Sequence, residues 1–446
     1  MRRLKGLLTG TLGLAALAVF VLAVVLLFGG LSRRGTASTV TPPTTPTRPA
    51  TPTVVPTRIT PPPMQTPTSP ASPLPTPTPP RATPSPPVPW PTAPPYTPPP
   101  DWTNVTLDRI RFGEPTVVLT HTNLIKVIEW LPDSRRLLLE LGTGEFPLTN
   151  RIVTLDVITG EMVEYGRRTS RDIAPLWVEQ AQGVVFDFWI SDSPPELRFG
   201  RAMGQVRTLD QADARPTVHR PSGRLLYVPV GATLRAREVA SGQAVPPPFQ
   251  AELLPFGKLR ADPQGRWLIS LWGRGGPWGP GGLHLADMSR RTVRQIDLRD
   301  PAQPFINWWP FDAVWSPDGQ QAALVLAQGE NLVLASKLAI LDPETGRWRW
   351  LDLPPQFVTE VDWAPDGRIV ILMGSDLVYG SSFANDSVWF VDTATGEYRN
   401  LNLLPPQTSL GWGWNLAWSP DGRYVAWIRA IPGEGGLAIS PITLQR

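Results

Sequence analysis

Trp315-Ser-Pro-Asp-Gly319, Trp363-Ala-Pro-Asp-Gly367 and Trp418-Ser-Pro-Asp-Gly422 are one phrase written three times. Trp130-Leu-Pro-Asp-Ser134 repeats it with Ser in place of the last Gly, and Glu179-Gln-Ala-Gln-Gly183, Arg220-Pro-Ser-Gly-Arg224 and Asp262-Pro-Gln-Gly-Arg266 are weaker copies. The chemistry of the phrase is that of a tight reversal. Pro presets φ at the second position of a type I turn, Asp suits the third, and Gly takes the left-handed conformation that lets the chain re-enter as a strand. The residues that follow, as in Arg423-Tyr-Val-Ala-Trp-Ile428, alternate as a strand does. Seven copies at a spacing of roughly 48 residues mark a repeat architecture.

A second hairpin signal follows the copies at Trp315, Trp363 and Trp130: Leu341-Asp-Pro-Glu-Thr-Gly346, Val391-Asp-Thr-Ala-Thr-Gly396 and Leu155-Asp-Val-Ile-Thr-Gly160. Two hairpins per unit give four strands. Four-stranded units repeated radially make a β-propeller, here of seven blades, or of six if the degenerate second repeat fails to form one. The phrase with its Asp…Thr-Gly partner resembles the TolB-like propeller repeat over roughly residues 103–446. That resemblance implies the fold and, weakly, a protein-interaction role. Similar repeats build the N-terminal propellers of prolyl-oligopeptidase-type peptidases, but no Gly-x-Ser-x-Gly elbow occurs in this sequence.

Three domains are expected: an anchor over residues 1–34, a linker over 35–102 and the propeller over 103–446. Leu7 to Leu31 are uncharged and mostly apolar, long enough as a helix to cross a bilayer and longer than a secretory h-region. The basic cluster Met1-Arg-Arg-Leu-Lys5 favours a cytoplasmic N-terminus. This places the remainder outside the cytoplasmic membrane of a bacterium as the C-terminal domain of a single-pass protein. Residues 41–100 hold 26 Pro and 15 Thr and no acidic residue, a composition that cannot bury a core and favours polyproline II.

The net charge of +3 is misleading as to partners. Eight of the 41 basic residues lie in 1–100, leaving 33 basic against 38 acidic beyond. The propeller therefore lacks the electrostatic footprint of a nucleic-acid binder. The absence of Cys excludes a disulfide framework and thiolate metal sites. His121, His219 and His284 fall in unrelated repeats, so neither a metal nor another cofactor is expected. His219, at a Trp-equivalent position, reads as structural.

With strands A to D running from the centre outward, the Asp-Gly and Thr-Gly turns share one face of the disc. The longer B–C and D–A connections share the other. That loop face collects Trp278, Trp308, Trp309, Tyr379, Trp412 and Trp414, the candidate binding residues, because loops on a rigid scaffold usually carry binding. Trp130, Trp315, Trp363 and Trp418 are expected to pack. Loop carboxylates Glu145, Asp192, Glu330, Asp376 and Asp386 support a rival reading as a carbohydrate hydrolase or lyase. A scaffold of an envelope complex is a further rival. The expectation is a non-catalytic module that binds a protein partner or a cell-wall glycan. Finally, the last repeat is one strand short, and Pro115–Thr120 is an apolar run without a blade. The run is expected to close the ring as the outer strand of the last blade.

Overall fold

The computed structural model describes residues 90–121, 125–143, 149–169, 174–189, 194–211, 213–230, 232–249, 254, 257–272, 282–299, 308–328, 335–354, 357–375, 387–401, 416–431 and 434–445. The anchor segment Leu7–Leu31 and most of the linker lie outside them. No helix among the described residues is long and apolar enough to cross a membrane.

Seven antiparallel sheets follow one another along the chain. Blade 1 is Ile125–Trp130, Arg136–Gly142, Thr149–Asp156 and Met162–Thr169, and blade 2 is Leu176–Val178, Gly183–Phe188, Glu196–Arg201 and Gln205–Gln211. Blade 3 runs from Thr217–His219 to Ala244–Val245 and blade 4 from Lys258–Ala261 to Thr292–Ile296. Blade 5 runs from Trp308–Trp315 to Trp348–Trp350, and blade 6 from Phe357–Trp363 to Tyr398–Asn400. Each chain segment adds its strands in the order A, B, C, D. The degenerate second repeat does form a blade, so the count is seven.

The turns fall where the phrase predicts. Gly319, Gly367 and Gly422 have φ of 68°, 67° and 76°, the left-handed conformation an L side chain resists. Ser134 stands in the same position at 53° and Gln182 at 49°. The second strands do not alternate. Ala322–Gln328 reads Ala-Ala-Leu-Val-Leu-Ala-Gln and is buried along nearly all its length. Blades stack on both faces, so an inner strand has no wet side.

The last blade is composite. Leu416–Trp418, Tyr424–Ile431 and Glu434–Leu444 supply three strands. Thr116–His121 pairs antiparallel with the last of them, Thr116 opposite Ile439, as the apolar run predicts. The preceding strand Ile110–Phe112 continues along the same edge, with Ile110 opposite Leu444. Both partners of the ring closure thus hide an edge that would otherwise be open to association. The ladder between the last blade's second and third strands ends at Ile431 opposite Glu434.

Two further features differ from expectation. Residues 90–102, expected within the linker, lie against the propeller: Trp102 is buried and meets Trp418 edge-on at 5.3 Å. Between blades 1 and 2 sits a buried ionic cluster that no motif announces. Arg168 is fully buried, its Nε 3.2 Å from Glu140 and one terminal nitrogen 2.7 Å from Asp187. Asn150 donates to the same Glu140 oxygen.

Two stability measurements follow. Deleting residues 110–121 should lower the melting temperature far more than deleting 41–82; equal melting temperatures would refute the closure. Arg168→Ala should cost roughly 3–5 kcal/mol, since it strands two buried carboxylates; a loss below about 1 kcal/mol in chemical denaturation would refute the clamp.

Candidate functional site

The first strands of all seven blades surround a central cavity of about 580 Å³. Its walls include Val127, Leu176, Val218, Ala261, Ala313, Val361 and Ala417, one from each blade. Local sequence sets this geometry through the repeat Trp at the end of strand A. Trp130 Nε1 donates to Ala417 O at 3.0 Å, Trp315 Nε1 to Arg260 O at 3.0 Å and Trp363 Nε1 to Val314 O at 2.9 Å. Each indole reaches the preceding blade, and each acceptor sits one residue before that blade's own Trp or its equivalent. All four repeat tryptophans are buried, as expected.

The residue before the Trp also reaches forward. Asp362 Oδ2 accepts the backbone N–H of Trp418 at 2.6 Å, and Glu129 Oε1 accepts that of Trp177 at 3.1 Å. In blade 3, His219 replaces the Trp and turns toward blade 4, its Nε2 3.1 Å from Gly265 O and its Nδ1 2.8 Å from Ser222 Oγ. It is buried, and that burial lowers its pKa, so it is neutral and structural. His284 stacks on Trp272 at 4.6 Å and is likewise lowered by burial.

The charged groups of the cavity are paired. Arg220 lies 3.1 Å from Glu129. Asp312 is shared by Lys258 at 2.5 Å and Arg260 at 3.2 Å. Burial, with Arg260 beside it, brings Lys258 down to about 8. Burial alone would raise Asp312, but the two cations outweigh it and hold its carboxyl low. Burial pushes Asp362 up to about 6 despite its two backbone donors. Such a set holds charge in the channel wall, and among the described residues neither an open carboxylate pair nor a His cluster lines it. Among the described residues no group of three His, Asp or Glu could hold a metal ion.

The candidate binding residues divide. Trp308 is buried, 6% exposed, and packs edge-on to Trp350 at 4.9 Å in the wall between blades, so it is a packing residue. Trp309 is half-buried, its ring 5.9 Å from Phe311. Trp278, Tyr379, Trp412 and Trp414 lie outside the described residues, as do Glu145, Asp192, Glu330, Asp376 and Asp386. The structure brings together a group that the sequence reading had not joined: Glu129, Asp312, Glu360 and Asp362. Three of them fall one or three residues before the repeat Trp, and Asp312 falls three before Trp315, a regular offset that marks the channel wall.

No protein-family model matches the chain, and no curated protein matches it. Solved structures do. An oligogalacturonate lyase in complex with manganese aligns over 75% of this chain and 98% of its own at 12% identity, TM-score 0.49. The C-terminal WD40 domain of Sif2 aligns over 74% and 99% at 10% identity, TM-score 0.44. TolB from Acinetobacter baumannii aligns over 67% and 77% at 14% identity, TM-score 0.37. These are likenesses of fold, among proteins of varied function.

Asp362 gives a pH signature. Its carboxyl titrates near 6 in the fold and near 3.8 unfolded, so its charged form is disfavoured by folding. That penalty is present above about pH 6 and is relieved as pH falls toward 4. Asp362→Asn, which does not titrate, should therefore destabilise more at pH 5 than at pH 7.5, by at most about 3 kcal/mol. A difference between variant and wild type that is constant across this range would refute the assignment.

Proposed function

We propose that this propeller, of the TolB-like repeat type, is a non-catalytic binding module held outside the bacterial cytoplasmic membrane by the span Leu7–Leu31. The observation that supports binding over catalysis is the state of the channel's charged groups. Glu129 and Arg220 neutralise each other, Asp312 is held by two cations, and Asp362 is occupied by backbone donors. A general acid or base needs a free lone pair or proton within reach of substrate. The ligand surface in this reading is the loop face, with Trp412 and Trp414 as aromatic anchors that bury large area and keep a hydrogen-bonding tip. Its ligand is a protein partner or a cell-wall glycan.

Topology and binding are testable separately. Trypsin added outside spheroplasts should cut after Arg58 and Arg81 and release the propeller, whereas protection of both sites would place the domain inside. Trp412→Ala with Trp414→Ala in the full chain should weaken recovery of partner from detergent-solubilised membranes, or signal on a glycan array, roughly tenfold. If the pair lowers only the melting temperature and leaves binding intact, the platform reading fails.

A further inference from the structure

Residues 90–102, Trp-Pro-Thr-Ala-Pro-Pro-Tyr-Thr-Pro-Pro-Pro-Asp-Trp, cross the turn-face mouth of the channel. Trp90 stands edge-on to His219 of blade 3 at 4.9 Å, with the Arg224 guanidinium 5.0 Å from its ring. Ala93 N donates to Gln264 O of the blade 4 turn at 2.8 Å. Tyr96 lines the central cavity, and its hydroxyl donates to Pro365 O of the blade 6 turn at 2.9 Å. Burial there, with Asp318 and Asp366 near, pushes its phenol up to about 12. Trp102 ends the crossing against blade 7, where a Cβ on Gly422 would collide with its indole.

The burial of this segment has a period of three. Trp90, Ala93, Tyr96 and Pro99 are partly buried, while Pro91, Thr92, Pro94, Pro95 and Thr97 are exposed; Pro98, also partly buried, departs from the period just before the 3-10 turn. A polyproline II helix has three residues per turn, so every third side chain lies on one face. Pro99, at φ −54° and ψ 141°, has that conformation, and a short 3-10 turn over Pro100–Trp102 then ends it. Prolines bias both their own residue and the one before toward this geometry, so little chain entropy is lost on docking. At about 3.1 Å per residue the six positions from Trp90 to Tyr96 span roughly 19 Å.

The segment is attached differently from the one that follows. Ile110–Phe112 and Thr116–His121 are paired strands, and Val105 and Ile110 are fully buried. Between Trp90 and Pro99 the attachment is one main-chain bond, one phenol bond and aromatic contacts. This is how polyproline ligands sit in aromatic grooves, by side-chain tips and with no sheet pairing.

We propose that the turn face of the propeller is a polyproline-binding surface, occupied in cis by the chain's own Trp90–Pro99 segment. The ligand class it recognises is a polyproline II peptide with aromatic residues six positions apart. The cis segment acts as a tethered competitor that keeps the mouth of the channel covered. This does not depend on the loop face being a binding platform.

The probe is a fluorescent synthetic peptide of residues 88–99, followed by anisotropy against the full chain in detergent. Full-length protein carrying Trp90→Ala and Tyr96→Ala should bind it at least tenfold more tightly than the unsubstituted chain, whose site is filled. A peptide with one Ala inserted after Pro94, which rotates Tyr96 off the face, should bind at least tenfold more weakly. No binding by a variant that keeps the wild-type circular dichroism would overturn the proposal, as would binding indifferent to the insertion. If the variant does not fold, hydrogen exchange on the unsubstituted chain decides. Slow exchange at Ala93 N–H supports the docked segment, and exchange as fast as in the free synthetic peptide of residues 88–99 overturns it.

Discussion

The ring depends on the bond from an indole N–H to a carbonyl of the preceding blade. Trp130, Trp315 and Trp363 each make it at the inner end of strand A. A propeller blade is twisted and would pack on its neighbour at a range of angles, since apolar contact is not directional. A buried N–H that needs an acceptor is directional, and leaving it unpaired costs about 1–3 kcal/mol. Placed at one position in successive blades, it fixes the rotation from each to the next. Asp362 and Glu129 accept backbone N–H groups of the following blade and so hold two other joints, from blade 6 to 7 and from blade 1 to 2.

Joints without the bond show what replaces it. His219 stands where Trp would and bonds forward to Gly265 O. Trp177 turns its indole to Glu179 in its own blade, at 2.6 Å, and next to it the Arg168 cluster ties blades 1 and 2 by charge. A buried cluster of that kind adds little net stability compared with apolar packing, but it tolerates few alternative arrangements. The second repeat, poorest in motif, is therefore joined to the first by a buried ionic contact.

Much of the fold is legible in the sequence because turns are local. The three Pro-Asp-Gly and three Asp…Thr-Gly signals place twelve strand ends with no knowledge of packing, and the unpaired run before the first turn reveals the closure. The candidate site was less legible. Trp308 sits beside a loop in sequence yet is the first residue of a strand that runs into the wall between blades, so its burial depends on Trp350, more than forty positions away. The channel carboxylates fall one or three residues before the repeat Trp, a signal that is meaningful only once strand A is known to be innermost. Composition hid the strap as well. Proline content identifies polyproline II, and such a segment reads as a spacer until the three-residue register of its aromatic side chains is matched to a surface.

The closing strands also govern the order of events in folding. Arg109 and Gln445, 336 positions apart, are bonded across the seam of the ring. Each blade is made of neighbouring sequence and can assemble as it emerges, but the seam requires the two extremes of the propeller to meet, and such long-range contacts form slowly. During that interval Thr116–His121 is an exposed, apolar, unpaired strand awaiting a partner, Glu434–Leu444, that is synthesised more than three hundred residues later. A second nascent chain on the same message offers an identical partner, so the seam is where misassembly between copies would begin. The proline-rich stretch just upstream cannot pair as a strand, and it confines that vulnerable edge to a dozen residues.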